Sequence, residues 1–309
     1  MKTLLPLALS LGVLASSLAA ADPARPEPVE RALRSLAVGA TPESVVPGFG
    51  GKLYVTLMGT KRAKGDGDGK IVVVNGTKVS DFTTGLDDPK GIVFVGDRLI
   101  TADFDKVWAV DAKGAKTLLA SPDAFPKPPM FLNDVAVEPG GRSVLVTDMG
   151  DLPAMLQADG AFWPLDSQQA KNLKPHGRVY RITLDGKVSV AIDHAPEMPN
   201  PNGVDALADG TILVGEFFRG TLLAWKDGKW KQLSDDHRGA DGITHDKPAA
   251  NLHITEVRSG RVWHVKAATG EKRLLATLES AADQWFDEAN GVLIVPDSKA
   301  GKLVWIPVK

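Results

Sequence analysis

One pattern returns six times along this chain, and it constrains the fold more than any other feature. A polar residue, then a small or polar one, then an apolar β-former recur at Glu43-Ser-Val45, Lys90-Gly-Ile92, Asn133-Asp-Val135, Asn202-Gly-Val204, Asp241-Gly-Ile243 and Asp283-Gln-Trp285. The starts lie 47, 43, 69, 39 and 42 residues apart, and the long interval holds an insertion, Asp151 to Pro175. A turn signal and a β-rich segment follow each start, as in Gly140-Gly-Arg-Ser-Val-Leu-Val146 and Asp209-Gly-Thr-Ile-Leu-Val214. A third β-rich segment, such as Arg261-Val-Trp-His-Val265, follows in every copy, and a fourth, such as Lys116-Thr-Leu-Leu-Ala120, in five. Apolar alternation and β-branched enrichment mark these as strands. Four strands per copy at a period near 40 predict an all-β fold, a six-bladed β-propeller of four-stranded antiparallel blades. Two sandwich domains would not repeat one pattern six times.

The sixth copy stops at Lys309, before any fourth strand. A ring of sheets must protect its edges, so Arg34-Ser-Leu-Ala-Val38 is expected to supply the missing strand from the start of the chain. The propeller then spans residues 34–309. Residues 22–33 read as a proline-rich linker. Residues 1–21 read as a cleaved export signal: Lys2, an apolar run from Leu4 to Leu18, and a small-residue site at Ala19-Ala-Ala21. That run is short for a membrane anchor, and a soluble periplasmic or secreted protein is expected.

Composition narrows the chemistry. The chain has 36 Lys+Arg against 38 Asp+Glu, which argues against a nucleic-acid surface. It has no cysteine, so disulfides, thiolate catalysis and cysteine-ligated metals are excluded. No Gly-x-Ser-x-Gly elbow occurs, and the histidines show no zinc spacing. Gly65-Asp-Gly-Asp-Gly69 is not followed by a helix and is no phosphate loop.

In a propeller the first strand of each blade lines the central channel, and its beginning shares a face with the turns joining strands two and three. The six repeat starts therefore converge on one mouth. Five are oxygen donors (Glu43, Asn133, Asn202, Asp241 and Asp283); the sixth is Lys90. Hard divalent cations take carboxylate and amide oxygens together, so this mouth can hold one. The alternative is that the same residues cap strand starts and bind channel water.

These residues resemble the senescence-marker/gluconolactonase-like family of six-bladed propellers, which looks related to phosphotriesterases of the diisopropyl-fluorophosphatase type. The likeness is carried by Pro42-Glu43, Leu132-Asn133-Asp134-Val135, Pro201-Asn202-Gly203-Val204 with Asp209-Gly210, and Ala240-Asp241-Gly242-Ile243. It implies one catalytic divalent cation on Glu43, Asn133, Asn202 and Asp241. Calcium is favoured, with zinc, magnesium and manganese as alternatives. It also implies hydrolysis of small lactones or related esters, the cation polarising a carbonyl and acidifying a water, with Asp241 as base or nucleophile. A small-molecule substrate and a monomeric protein are expected. Lys90 departs from the family pattern; it would weaken cation binding if it pointed inward, or would contact substrate. Asp283 is expected to offset Lys90 or hold a water beside the substrate.

Five strand-two ends carry acids in equivalent places, Asp103, Asp148, Glu216, Glu256 and Asp297, with Leu57 the exception. They are expected to cap hairpin turns, Asp148 keeping a claim to substrate contact. The 151–175 insertion lies on the mouth face and offers Phe162 and Trp163 as an apolar lid over a substrate. The competing class is a non-catalytic propeller that binds a protein or glycan on the same face. Lys90 with its Pro-Lys-Gly-Ile context is its best support.

Overall fold

The computed structural model describes residues 33–60, 62–247 and 250–308, so the signal-peptide and nearly all of the linker expectations lie outside the described residues. Twenty-four strands form six four-stranded antiparallel sheets arranged as propeller blades. The strands nearest the channel are Pro42–Pro47, Pro89–Val95, Leu132–Val137, Pro201–Ala206, Ala240–His245 and Trp285–Asp287. Within blades 1 to 5 the four strands follow one another in sequence. Blade 6 closes as expected: Arg34–Ala37 is its outer strand, pairing Arg34 with Trp305 and Ala37 with Lys302. No described helix is long and apolar enough to cross a membrane.

The core is a set of six seams between neighbouring blades, not one central mass. Strand two of blade 4 illustrates why the sequence runs almost continuously apolar there. Ile212 and Val214 pack toward blade 3 with Leu145 and Val179, whereas the intervening Leu213 packs toward blade 5 with Ile243 and Ile254. Successive side chains point to opposite faces, and each face meets another blade. The third-strand tryptophans Trp108, Trp225, Trp263 and Trp305 each flank such a seam. The closing seam joins Val38, Leu57 and Val72 to Ile294 and Leu303. Arg34 stacks its guanidinium 4.3 Å from the Trp305 ring there.

The strand-two acids act across loops as well as within hairpins. Asp103 accepts the backbone N–H of Asp87 and Asp88, at 3.0 and 2.7 Å. Asp297 accepts those of Glu279 and Ser280, at 3.2 and 3.0 Å. Glu216 accepts from Asn200 at 3.1 Å and from the Arg219 N–H of its own hairpin. Each of these carboxylates thus ties down the loop that feeds the channel strand of its blade. In blade 5, Glu256 takes the Trp263 indole N–H at 2.6 Å instead. Asp148 belongs to this set: its oxygens accept from Met130, Phe131 and Gly150 at 3.0, 2.9 and 3.0 Å, and it is fully buried. Its expected substrate contact is therefore withdrawn.

Two expectations about stability follow from this packing. A chain shortened to begin at residue 40 exposes the outer edge of blade 6 and the face of Trp305. Its melting temperature should fall by roughly 5–10 °C, the scale of a few kcal/mol in a domain of this size; an unchanged transition would show that closure does not depend on that strand. The second concerns His253, buried between His264 and Phe286, with Nδ1 lacking a partner. Burial lowers its pKa from the usual 6.5 to about 4, the neighbouring His264 adding to the effect. The folded state favours the neutral ring, so this contribution is complete above pH 6.5 and is lost as pH falls toward 4. Between those limits His253→Leu should remove about 3 kcal/mol of acid destabilisation. Parallel denaturation profiles for the two proteins would refute that assignment.

Candidate active site

Each channel strand of blades 1 to 5 carries a bulge at its start. The register shifts between Pro42 and Val45, Pro89 and Ile92, Leu132 and Val135, Pro201 and Val204, and Ala240 and Ile243. A bulge inserts an extra residue and re-aims a side chain. Here it turns Glu43, Lys90, Asn133, Asn202 and Asp241 toward the channel mouth, where all five line one cavity of about 390 Å³. They are only 2–5% exposed.

The sixth position is a correction. In blade 6, Ala281 bridges Asp297 and Trp285 pairs Ile294. Counting from the strand-two acid, as in the other blades, makes Ala282 the equivalent of Asp241. Ala282 lines the cavity and Asp283 does not. Asp283 sits one layer deeper, accepting the Ser44 hydroxyl and donating its N–H to the Glu43 carbonyl at 2.9 Å. Gln284 stands where the other copies have their apolar β-former, and that substitution hid the one-step slip.

The bulges leave backbone groups that the ladder does not satisfy, and threonines satisfy several of them. Thr56, Thr147 and Thr255 accept the N–H of Ser44, Asp134 and Gly242, at 3.0, 2.9 and 3.0 Å. Their hydroxyls donate onward to the next blade: to the carbonyls of Lys90 (2.8 Å) and Asn202 (2.6 Å) and to Gln284 Oε1 (2.8 Å). The glycines of Asn202-Gly and Asp241-Gly reflect the same crowding. A Cβ on Gly203 would lie 1.9 Å from the Asp241 carbonyl oxygen, and one on Gly242 would lie 2.3 Å from Asp283 Oδ1.

Asn202 Nδ2 donates to Asp241 Oδ1 at 2.8 Å and to the Ala240 carbonyl at 3.0 Å, which turns its Oδ1 away. That Oδ1 and Glu43 Oε2 are buried with no hydrogen-bond partner. Asn133 donates Nδ2 to the Met149 sulfur at 2.9 Å, a weak acceptor. Lys90 does not enter this oxygen set. Its ammonium lies 3.0 Å from the Met58 sulfur, 3.4 Å from Asp88 Oδ2 and 5.2 Å from the Phe131 ring, and it forms no ion pair with Glu43 or Asp241. Burial first, then the Asp241 charge, pushes the Glu43 carboxyl well above the usual carboxylate range, with Lys90 opposing. Asp241 is likewise raised by burial, against Lys90 and the Asn202 hydrogen bond.

A hard divalent cation fits these residues. They offer four oxygen-bearing side chains, two unpartnered buried oxygens, and two carboxyls whose neighbourhood disfavours a second negative charge. Among the described residues no three His, Asp or Glu side chains form a metal cluster by themselves. A cation would rest on two carboxylates and two amides.

The insertion forms a small packed cap. Two short helices, Leu152–Met155 and Gln168–Lys171, and a bridge between Leu156 and Phe162 bury Leu152 and Met155 against Phe131, Phe217 and Phe218. Phe162 faces the cavity, its ring 5.3 Å from that of Phe217 and 4.7 Å from the Arg62 guanidinium. Trp163 does not line the cavity. It packs into the cap and donates its indole N–H to the Ala154 carbonyl at 3.1 Å. Sequence reasoning missed Met58, Phe131, Met149 and Phe217 as walls. Each lies within one or two residues of a strand-two or channel-strand end, which is the signal that could have found them.

No protein-family profile and no curated protein sequence matches the chain. Solved structures match in fold. A gluconolactonase from Xanthomonas campestris is 19% identical with a TM-score of 0.59, over 90% of this chain and 98% of its own. Virginiamycin B lyase from Staphylococcus aureus is 14% identical with a TM-score of 0.57, over 90% and 99%. At these identities the likeness is one of architecture, and this chain shares the gluconolactonase-like propeller fold.

The different placement of the two cap aromatics is open to measurement. Phe162→Ala should change which compounds of a small-molecule panel raise the melting temperature, because it removes a cavity wall. Trp163→Ala should instead lower the melting temperature of the free protein, by about 2 kcal/mol of lost packing, and leave the ranking of compounds intact. The same ranking in wild type and Phe162→Ala would mean that ligands do not reach that wall.

Proposed function

We propose that this cavity binds one divalent cation, calcium in preference, and hydrolyses small lactones or related esters, in a protein exported from the cytoplasm. The observation that carries this reading is the pair of unpartnered oxygens, Glu43 Oε2 and Asn202 Oδ1, buried in one cavity with the Asp241 carboxyl. Buried polar atoms without partners are rare in folded proteins, and a cation accounts for both together. The gluconolactonase-like fold and the export-type N-terminal stretch are consistent with it.

Glu43, Asn133, Asn202 and Asp241 would hold the cation, which supplies Lewis-acid polarisation of a carbonyl and acidification of a water. The chain's own residues do the rest. The Asn202 amide fixes the rotamer of Asp241 through the 2.8 Å hydrogen bond. Asp241 takes the proton of the attacking water as the new bond to the acyl carbon forms. It returns that proton to the ring oxygen as the acyl–oxygen bond breaks, so no outside acid is needed. Asn133 has an N–H spent only on a thioether, and can redirect it to a substrate oxygen. Lys90, anchored by Asp88, adds positive charge at the floor and helps keep Asp241 ionised. The Phe131, Phe162 and Phe217 walls exclude water from one side of the cavity.

Metal analysis of the purified protein, titration calorimetry with calcium and a lactone and phosphotriester panel with and without chelator test this reading together. Asp241→Ala should weaken cation binding at least a hundredfold and abolish turnover. Asn202→Asp should keep the cation but slow turnover, because the added charge makes the metal a weaker Lewis acid. Near-normal hydrolysis by Asp241→Ala would refute the site. A protein that neither binds cations nor turns over any member of the panel would be the non-catalytic binding propeller.

A further inference from the structure

The floor of the cavity is acidic, but its rim is cationic. Arg62, Arg258 and Lys299 all line the opening, and among the described residues the only acids lining the cavity are Glu43 and Asp241 below. The three come from different blades: Arg62 from the loop after strand two of blade 1, Arg258 and Lys299 from the matching turns of blades 5 and 6. Arg258 and Lys299 are exposed, and among the described residues none of the three forms an ion pair. Other basic residues of this face divide: Arg219 and Arg238 likewise form no ion pair among the described residues, whereas three lysines are paired. Lys64, Lys90 and Lys106, on the same side of the ring, are each paired with an acid: Asp105, Asp88 and Asp87. Arg62 is instead held over the Phe162 ring, its centre 4.7 Å away, which aims a planar guanidinium along the cavity wall.

Charge counting sharpens the point. Lys90 is matched by Asp88. A divalent cation would match Glu43 and Asp241. Three rim cations then remain without a counter-charge around an opening whose wall is aromatic. Low-dielectric walls and one sign of charge focus the field on an incoming ligand, and guanidinium groups match the planar fork of a carboxylate.

Resting on the hydrolase reading of the same cavity, we propose that its substrate is an organic acid: a lactone or ester that also carries a carboxylate. The carboxylate is held at the rim by Arg258 and Lys299, and the apolar body lies against Phe162 and Phe217. The acyl group is thereby presented to the floor. Neutral sugar lactones and uncharged esters would lack the rim contacts.

The test uses the intact protein with calcium and two matched probes, phthalide-5-carboxylate and the uncharged phthalide-5-carboxamide. Binding is read by titration calorimetry and ring opening by absorbance. The carboxylate should bind at least tenfold more tightly than the carboxamide, and this advantage should shrink several-fold between 50 and 500 mM sodium chloride, as expected for exposed charges. In the double variant Arg258→Gln with Lys299→Gln the ratio should fall to about twofold, with an unchanged melting temperature because both side chains are exposed. Equal binding of the two probes, no binding of the carboxylate, or a carboxylate advantage that survives the double variant overturns the proposal. Preferential carboxylate binding with no ring opening of either probe leaves the anion site standing and removes the hydrolase. Ring opening of both probes at equal Michaelis constants does the reverse.

Discussion

Everything at the channel mouth depends on how the incoming loop of each blade is pinned before the chain turns into the channel. In four blades a buried acid at the end of strand two grips the backbone N–H groups of that loop, as Asp103 grips Asp87 and Asp88 at 3.0 and 2.7 Å. Immediately after the grip the strand bulges, and the bulged residue points inward. A carboxylate accepting two or three backbone donors is a strong, directional clamp, and it sits one residue from the side chain that must be placed. In blades 1, 3 and 5 a threonine next to the last residue of strand two carries a constraint sideways. Thr147 takes the Asp134 N–H and hands its own proton to the Asn202 carbonyl, so a site residue of blade 4 is positioned by blade 3. The mouth is therefore a single interlocked ring.

Such a ring can tolerate an unfavourable electrostatic arrangement at its centre. Glu43 and Asp241 are both buried in one cavity, each with its carboxyl pushed upward by desolvation, and Asp134 and Asp283 lie in the layer beneath with the same perturbation. Four acids in so small a volume oppose folding. The opposing contribution comes from the six apolar seams between the blades. Each channel strand serves both, its bulged residue facing the mouth and a residue two positions on, such as Val204 or Ile243, packing in a seam. One propeller architecture is nonetheless compatible with a gluconolactonase and with a lyase.

Much of this was legible in the sequence, for a physical reason. A blade is a local unit of about forty residues whose strands pair in order, so the fold announces itself as a repeat. Closure by Arg34 to Ala37 was legible too, because an unpaired edge has to be covered. Register was harder. The sixth copy presents Asp283-Gln-Trp285 where its fellows present a polar residue, a small one and a β-former, and matching the polar residue places Asp283 at the mouth. The bridge from Ala281 to Asp297 shows that the bulge lies one residue earlier. Pattern matching weighs residue type, whereas the bulge answers to the clamp at the end of strand two. Asp148 misled in the same way, since a carboxylate that grips three backbone N–H groups looks in sequence like one free for chemistry. Phe162 and Trp163 are adjacent in the chain and pack against the same cluster, yet only Phe162 lines the cavity. Composition cannot separate two such neighbours.

The depth of the channel settles which face a ligand must use. Below the mouth, Gly91, Gly203 and Gly242 occupy positions where a Cβ would meet Val135 N at 2.5 Å, the Asp241 carbonyl oxygen at 1.9 Å and Asp283 Oδ1 at 2.3 Å. Backbones of neighbouring blades therefore approach as closely there as side-chain-free residues allow. Val45, Ile92, Val135, Val204 and Ile243 follow beneath, with the polar Gln284 at the same level in blade 6 and Asp134 and Asp283 in the tier above. Further down, His245 Nδ1 lies 2.5 Å from Asp205 Oδ2. The close approach of the blades at the glycine tier narrows the channel between its two ends. His245 and Asp205 line the opposite end, outside the cavity that holds Asp241. A molecule that meets Glu43 and Asp241 arrives across the rim, past Arg62, Arg258 and Lys299 and along Phe162. The cap and the rim therefore decide which molecules reach the floor, and that selection is written in the turns between strands two and three, outside the repeat that builds the blades.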